Sequence, residues 1–179
     1  MSVITNPFFW AFIGMFGLLL GTVMVGGRLG HNALLGLAII LLSDASRIVL
    51  VLPFCTQPRF EIGAWNWILG GAIIAAAIGF AAPAMSIDWR TAPTRDMALK
   101  TGGIYGVVRN PIYLADILFS LGFAILFRSV LGVALIPIWW AAFLGLVLVE
   151  EASLERALGQ VYLDYKRRVK GRIIPGLPI

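Results

Sequence analysis

The chain has 179 residues, of which 60% are hydrophobic and only 13% charged, with a formal net charge of +5. A soluble domain holds about 45–50% apolar and about 25% charged residues. A water-soluble globule of this composition would expose too much apolar surface, which excludes a cytosolic enzyme, a disordered chain and a nucleic-acid binder. The excess reads as membrane spans in one domain, residues 1–179. The single cysteine, Cys55, leaves no intrachain disulfide or thiolate cluster, and the single histidine, His31, argues against a histidine-held metal.

A bilayer core about 30 Å thick needs roughly 20 apolar residues of helix. About five spans are predicted, giving an all-α, multi-pass transmembrane bundle. Residues 7–27 carry no side-chain charge. Residues 33–54 contain Asp44 and Arg47, and residues 64–87 open with Trp65 and Trp67, placed like an interfacial anchor. These three spans form the N-terminal half, 1–87; a core at 88–179 follows. Residues 111–127 contain Asp116 and are short for a span. Residues 130–149 follow after only Arg128 and Ser129, which makes the last two spans an antiparallel hairpin. The first segment is expected to be a span rather than a signal peptide, because no basic residue precedes it and no clear cleavage site follows.

The basic residues orient the bundle. With this count one side holds Arg28, the loop residues Arg90, Arg95, Lys100 and Arg109, and the tail residues Arg156, Lys166, Arg167, Arg168, Lys170 and Arg172. The other side holds only Arg59 and Arg128. The positive-inside rule places the C-terminus in the cytoplasm and the N-terminus outside. Attraction to anionic membrane lipids is a second consequence of the charge.

Several polar residues need more than topology. Asn110 followed by Pro111 suits a helix start, with Asn as N-cap and Pro at the first helical position. The alternative is that Arg109 and this helix N-terminus form a site for a carboxylate or phosphate. Residues 150–170 are amphipathic, with Leu154, Leu158, Val161, Tyr162, Tyr165 and Val169 on one face. They are expected to form a C-terminal cytoplasmic helix lying on the membrane surface. That does not explain Glu150 and Glu151, adjacent carboxylates at the end of an apolar span. Asp44 and Arg47, at i,i+3, are expected to neutralise each other. Asp116 has no local partner and shares a helix face with Tyr113. It is either a neutralised bundle residue or a functional carboxylate.

From 101 to 179 the chain resembles the isoprenylcysteine carboxyl methyltransferase family of integral membrane enzymes, with the phospholipid methyltransferases as wider relatives. The residues that carry the likeness are Gly103-Ile-Tyr105, Arg109-Asn110-Pro111-Ile112-Tyr113, Glu150-Glu151-Ala-Ser-Leu154, and Tyr162-Leu-Asp-Tyr165 with its basic run and Pro175. The resemblance implies S-adenosylmethionine as methyl donor and a lipophilic small molecule or lipid as acceptor. It places cofactor contacts on Arg90, on Met97, Ala98, Leu99 and Lys100, on Tyr105, on Asn110, Pro111, Ile112 and Tyr113, and on Glu150. Glu150 would meet the cofactor's ammonium, Arg109 its carboxylate, and the two tyrosines its adenine or sulfonium. The catalytic candidates are Arg109, and Asp116 or Glu151 as base where the acceptor must lose a proton.

Two positions depart from the pattern. Asn110 stands where the family has a histidine, so no titratable group is available there. Leu146 stands where the prenylcysteine enzymes carry an arginine facing the substrate carboxylate, which argues against a prenylcysteine acceptor. A different carboxylate, a thiol, a phenol or a lipid amine remain open. Two other readings stand beside this one: a non-catalytic scaffold of the same fold, and a nicotinamide-dependent membrane reductase. The orientation has its own test. A topology reporter fused after Ile179 should report the cytoplasm, and an external signal would overturn the assignment.

Overall fold

The computed structural model describes residues 2–26, 33–85 and 99–178. All regular structure among them is helical. The main helices are α1 (Pro7–Gly26), α2 (Ala33–Val51), α3 (Trp65–Met85), α4 (Pro111–Leu126), α5 (Val130–Ala134), α6 (Ile136–Leu158) and α7 (Gln160–Arg168). Short 3-10 turns lie at Val3–Thr5 and Gly103–Gly106. Four helices, α1, α2, α3 and α6, are long and apolar enough to cross a membrane. The protein is an all-α membrane bundle. The fourth expected span is the apolar helix α4, whose 16 residues measure about 24 Å at 1.5 Å per residue.

Helix α3 packs mainly on α4, and α1 on α2 and α6. The core between them holds Leu18, Leu50, Leu114, Trp139, Phe143 and Val147. Apolar side chains also cover the outside of the bundle, including Phe8, Leu34, Trp65 and Ile78. That inversion suits a lipid solvent, where association depends on close packing rather than on hiding apolar surface. Glycine supplies the closest approach. A Cβ on Gly70 would stand 2.8 Å from the Leu126 amide nitrogen and 2.9 Å from the Gly122 carbonyl oxygen.

Three expectations about the C-terminal part need correction. The span expected over 130–149 is interrupted: α5 ends at Ala134 and α6 begins at Ile136. Pro137 lies in the first turn of α6, where its missing N–H costs nothing, so it suits the start of a new helix there. Nor is 150–170 one surface helix. Helix α6 continues through Glu150 and Glu151 to Leu158, and Gly159, at φ 54°, turns the chain before α7. The tail's apolar face meets protein rather than lipid over most of its length: Tyr162, Tyr165 and Val169 are buried with Leu99, Leu154 and Leu158 packed against them. Val161 alone of that face stays well exposed. Asn110 does precede α4, but its side chain makes no capping hydrogen bond.

The α3–α4 contact makes a paired prediction. Gly70→Ala forces backbone apart and should cost about 1–3 kcal/mol. Gly71→Ala meets nothing within 4 Å and should leave stability unchanged or raise it by up to about 1 kcal/mol. Thermal unfolding of the two variants in detergent separates them, and equal melting temperatures would refute the close packing.

Candidate active site

The first turn of α4 and the last two turns of α6 meet at the end of the bundle that carries the basic tail. Glu151 is their junction. Its side chain is 3% exposed and that of Arg109 4%. Arg109 Nε donates to Glu151 Oε1 at 2.8 Å, and Arg172 Nε donates to Oε2 at 3.2 Å. Asn110 Nδ2 donates to Oε1 at 3.2 Å, and Lys166 Nζ lies 3.8 Å from Oε2. Arg109 also donates through Nη1 to the carbonyls of Val169 at 2.6 Å and Lys170 at 3.0 Å. Backbone bonds tie the same segments together: Arg109 N–H to Gly171 O at 2.9 Å and Asn110 N–H to Arg172 O at 3.0 Å. The chain after α7 is thus laced to the chain before α4.

This network changes what two expected residues offer. Arg109 was expected to meet an anion of substrate or cofactor, yet Nε, Nη1 and Nη2 all bond to protein acceptors. The Asn110 amide is held between Glu151 and the Arg172 carbonyl. Sequence reasoning missed Arg172 and Lys166 as partners of Glu151. Their signal was the basic run after the paired tyrosines, read only as an orientation and membrane signal.

Glu150 is in a different position. One residue earlier on α6, it turns toward α4, and Tyr113 Oη donates to its Oε2 at 2.7 Å. Among the described residues it has no cationic partner. Tyr105 lies close enough for that carboxylate to act on it: burial first, and then the Glu150 charge, raise its phenol above the usual tyrosine range. The Tyr105 carbonyl accepts from Tyr165 Oη at 2.8 Å, which docks the 3-10 turn on α7. Burial above all pushes the Tyr165 phenol up to about 12. So Glu150 and Tyr113 come together, with Tyr105 within electrostatic reach of Glu150. Leu99 packs with the α7 tyrosines, and Lys100 lies half-buried beside it. Pro111 is buried, whereas Ile112 is exposed. Arg90, Met97 and Ala98 lie outside the described residues. Leu146, one turn before Glu150, is buried.

Asp116 lies apart from these glutamates, in a cleft of about 300 Å³ between α2, α3 and α4 that Asp44, Arg47, Ile112 and Ser120 also line. Asp44 and Arg47 pair as expected. A larger cleft, about 520 Å³, lies at the opposite end of the bundle by Arg59, Asn66 and Trp67. It carries no free charge for chemistry. Arg59 donates to carbonyls of Val51 and Leu52, and Arg128 pairs with Glu61.

Comparison with protein families decides the class. The model for phospholipid methyltransferases matches residues 61–161. The chain belongs to the phospholipid methyltransferase family. Comparisons with curated proteins and with solved structures give no match. The family match runs from just before α3 into the start of α7, so it contains Tyr105, Arg109, Tyr113, Glu150 and Glu151. Arg172 and Lys166 fall beyond it. The protein is therefore a member of a membrane methyltransferase family, and in this chain two adjacent glutamates, Glu150 and Glu151, are held in opposite electrostatic settings.

The contrast predicts unequal costs. Glu151→Gln leaves Arg109 buried without its counter-charge, a loss of about 3–5 kcal/mol. Glu150→Gln keeps an acceptor for Tyr113 Oη, exchanges a charge-assisted bond for a neutral one, and should cost about 1 kcal/mol or less. Thermal unfolding of both variants checks the order, and equal losses would refute Glu151 as the junction.

Proposed function

We propose that the protein transfers a methyl group from S-adenosylmethionine to a lipophilic, membrane-borne acceptor. The observation that carries this reading is Glu150, a carboxylate with no cation among the described residues, flanked by Tyr113 and Tyr105. That set fits the methyl donor, whose ammonium suits a carboxylate and whose sulfonium suits an aromatic face. Glu150, Tyr113 and Tyr105 would hold it, with the first-turn amides of α4 toward its carboxylate. Leu99 and Lys100 would border it, together with Arg90, Met97 and Ala98. The basic end of the bundle faces the cytoplasm, where the soluble cofactor is available.

When bound, the cofactor supplies an activated methyl carbon, so the protein's contribution is mainly positioning. Arg109 and Glu151 act here as positioning residues: their ion pair sets the distance between the α4 N-terminus and Glu150. Asn110 takes part through the same carboxylate and needs no titratable group. Asp116 is the candidate proton acceptor for a thiol, phenol or ammonium acceptor, and a carboxylate acceptor would need none. Leu146 offers only apolar surface beside the site, which argues against a prenylcysteine carboxylate.

Glu150→Gln removes the partner of the ammonium. A charge-assisted bond is worth about 1.5–3 kcal/mol, so affinity for S-adenosylhomocysteine should fall about 10- to 150-fold. Calorimetric titration of wild type and variant, with NADPH as the control ligand, measures this. Unchanged affinity would remove Glu150 from the site, and tight NADPH binding would overturn the reaction class.

A further inference from the structure

The cleft of about 520 Å³ at the end of the bundle opposite the basic tail is lined by two guanidinium groups, Arg59 and Arg128. Arg59 donates to the carbonyls of Val51, Leu52, Cys55 and Phe127, at the ends of α2 and α4. Carbonyls are dipoles: they satisfy its N–H groups without cancelling its unit charge. The partial negative charge of the two helix ends offsets it only in part, and the positive end of α3 adjoins the same cleft. Burial lowers the Arg59 pKa below arginine's usual value, and the like charge of Arg128 lowers it further. Arg128 pairs with Glu61 at 2.9 Å, but the two side chains are 40% and 78% exposed. An ion pair that open to solvent contributes little and is easily shared. The loops at this end, residues 52–64 and 127–129, hold two arginines against that one acid. One positive charge is therefore left over beside the cleft.

Arg128 also has an unusual backbone. Its φ is 56°, the only positive value among the described residues other than glycine. It stands just past the end of α4, where glycine commonly closes a helix in this conformation and a side chain costs free energy. The turn itself serves the fold: Arg128 N–H donates to Ile125 O and Arg128 O accepts from Phe60 N–H, each at 3.0 Å. Glycine would close that turn more cheaply, so the guanidinium has a use of its own. Among the described residues only its Nη1 is bonded, to Glu61, which leaves Nε and Nη2 to donate. Trp65 and Trp67, both exposed, mark this end as headgroup depth. We propose that the cleft holds the phosphate of an anionic phospholipid drawn from the leaflet on that side. A phosphate brings the missing negative charge and acceptor oxygens that match the guanidinium fork. The glycerol and first chain carbons of a lipid suit the walls at Leu126 and Phe127, which a free phosphate ion would leave in water. This lipid lies at the far end from Glu150, so it is not the methyl acceptor, and its binding does not depend on the methyl-transfer reading.

The probes are phosphatidylglycerol, phosphatidylcholine with the same acyl chains, and inorganic phosphate. Each is titrated into the purified protein in maltoside micelles, with lipid binding read by native mass spectrometry and stabilisation by the melting temperature. Phosphatidylglycerol should bind at least about fivefold more tightly than phosphatidylcholine, and inorganic phosphate should not stabilise the protein. Arg128→Gln should lose about tenfold in affinity at the tightest phosphatidylglycerol site, the worth of one charge-assisted contact. Glu61→Gln removes the competing acid and should tighten that site. Arg168→Gln, in the basic tail, controls for charge at the other end and should leave it unchanged. Arg128→Gly separates binding from folding: it relieves the backbone, so it should melt at or above the wild-type temperature without lipid and still lose about tenfold in affinity. If Arg128→Gln does not fold, Arg128→Gly and the preference between the two lipids decide. Wild-type affinity in a folded Arg128 variant, equal binding of the two lipids, or a loss that follows Arg168→Gln instead would overturn the assignment. Stabilisation by inorganic phosphate equal to that by phosphatidylglycerol would make this a site for the free ion and overturn the lipid.

Discussion

Glu151 is an anion at the end of an apolar helix, and enclosing it without partners would cost several kcal/mol. Arg109, Arg172 and Lys166 meet that charge from three separate parts of the chain. Because the ion pair with Arg109 is nearly sealed from solvent, that partner cannot be given up cheaply. The arrangement is therefore a fastener. It joins the start of α4, the end of α6 and the segment after α7, and the backbone bonds of Arg109 and Asn110 to Gly171 and Arg172 complete it. Tyr113 and Glu150 lie at this same junction, and their hydrogen bond joins α4 to α6 a second time.

Adjacent residues on a helix point about 100° apart. Glu150 and Glu151 convert that angle into two jobs. One faces the cation cluster, and the other faces Tyr113. A single carboxylate could not both balance Arg109 and remain open to an ammonium. The same economy recurs in α2 and α4, where Arg47 satisfies Asp44 and leaves Asp116 unbalanced.

Spans and family were readable from composition, hydropathy and short motifs, since burial in lipid needs only a long apolar run. What was not readable depends on contacts remote in sequence. The partner of Glu151 is 42 residues away, and no local spacing announces it. Asn110 before Pro111 has the form of a cap, yet the nearby Glu151 carboxylate draws its amide away. The tail periodicity was real, but an apolar face does not say whether lipid or protein covers it. Tyr162 and Tyr165 turned inward because Gly159 bends the chain back on itself. The same glycine was visible in the sequence, and only its left-handed backbone marks it as a turn. For Asp116, Ser120 is one turn along its own helix, but Arg47 lies on α2, and only the fold brings it near.

Helix α4 is about 24 Å long by its rise, while a typical hydrocarbon core is about 30 Å thick. A short apolar helix is accommodated by thinning of the surrounding bilayer or by sinking of its polar flanks. Beside α4, the leaflet is then dimpled. The polar flanks of α4 would then lie deeper than those of the four longer helices, so the two surfaces of the bundle would not be level around its circumference.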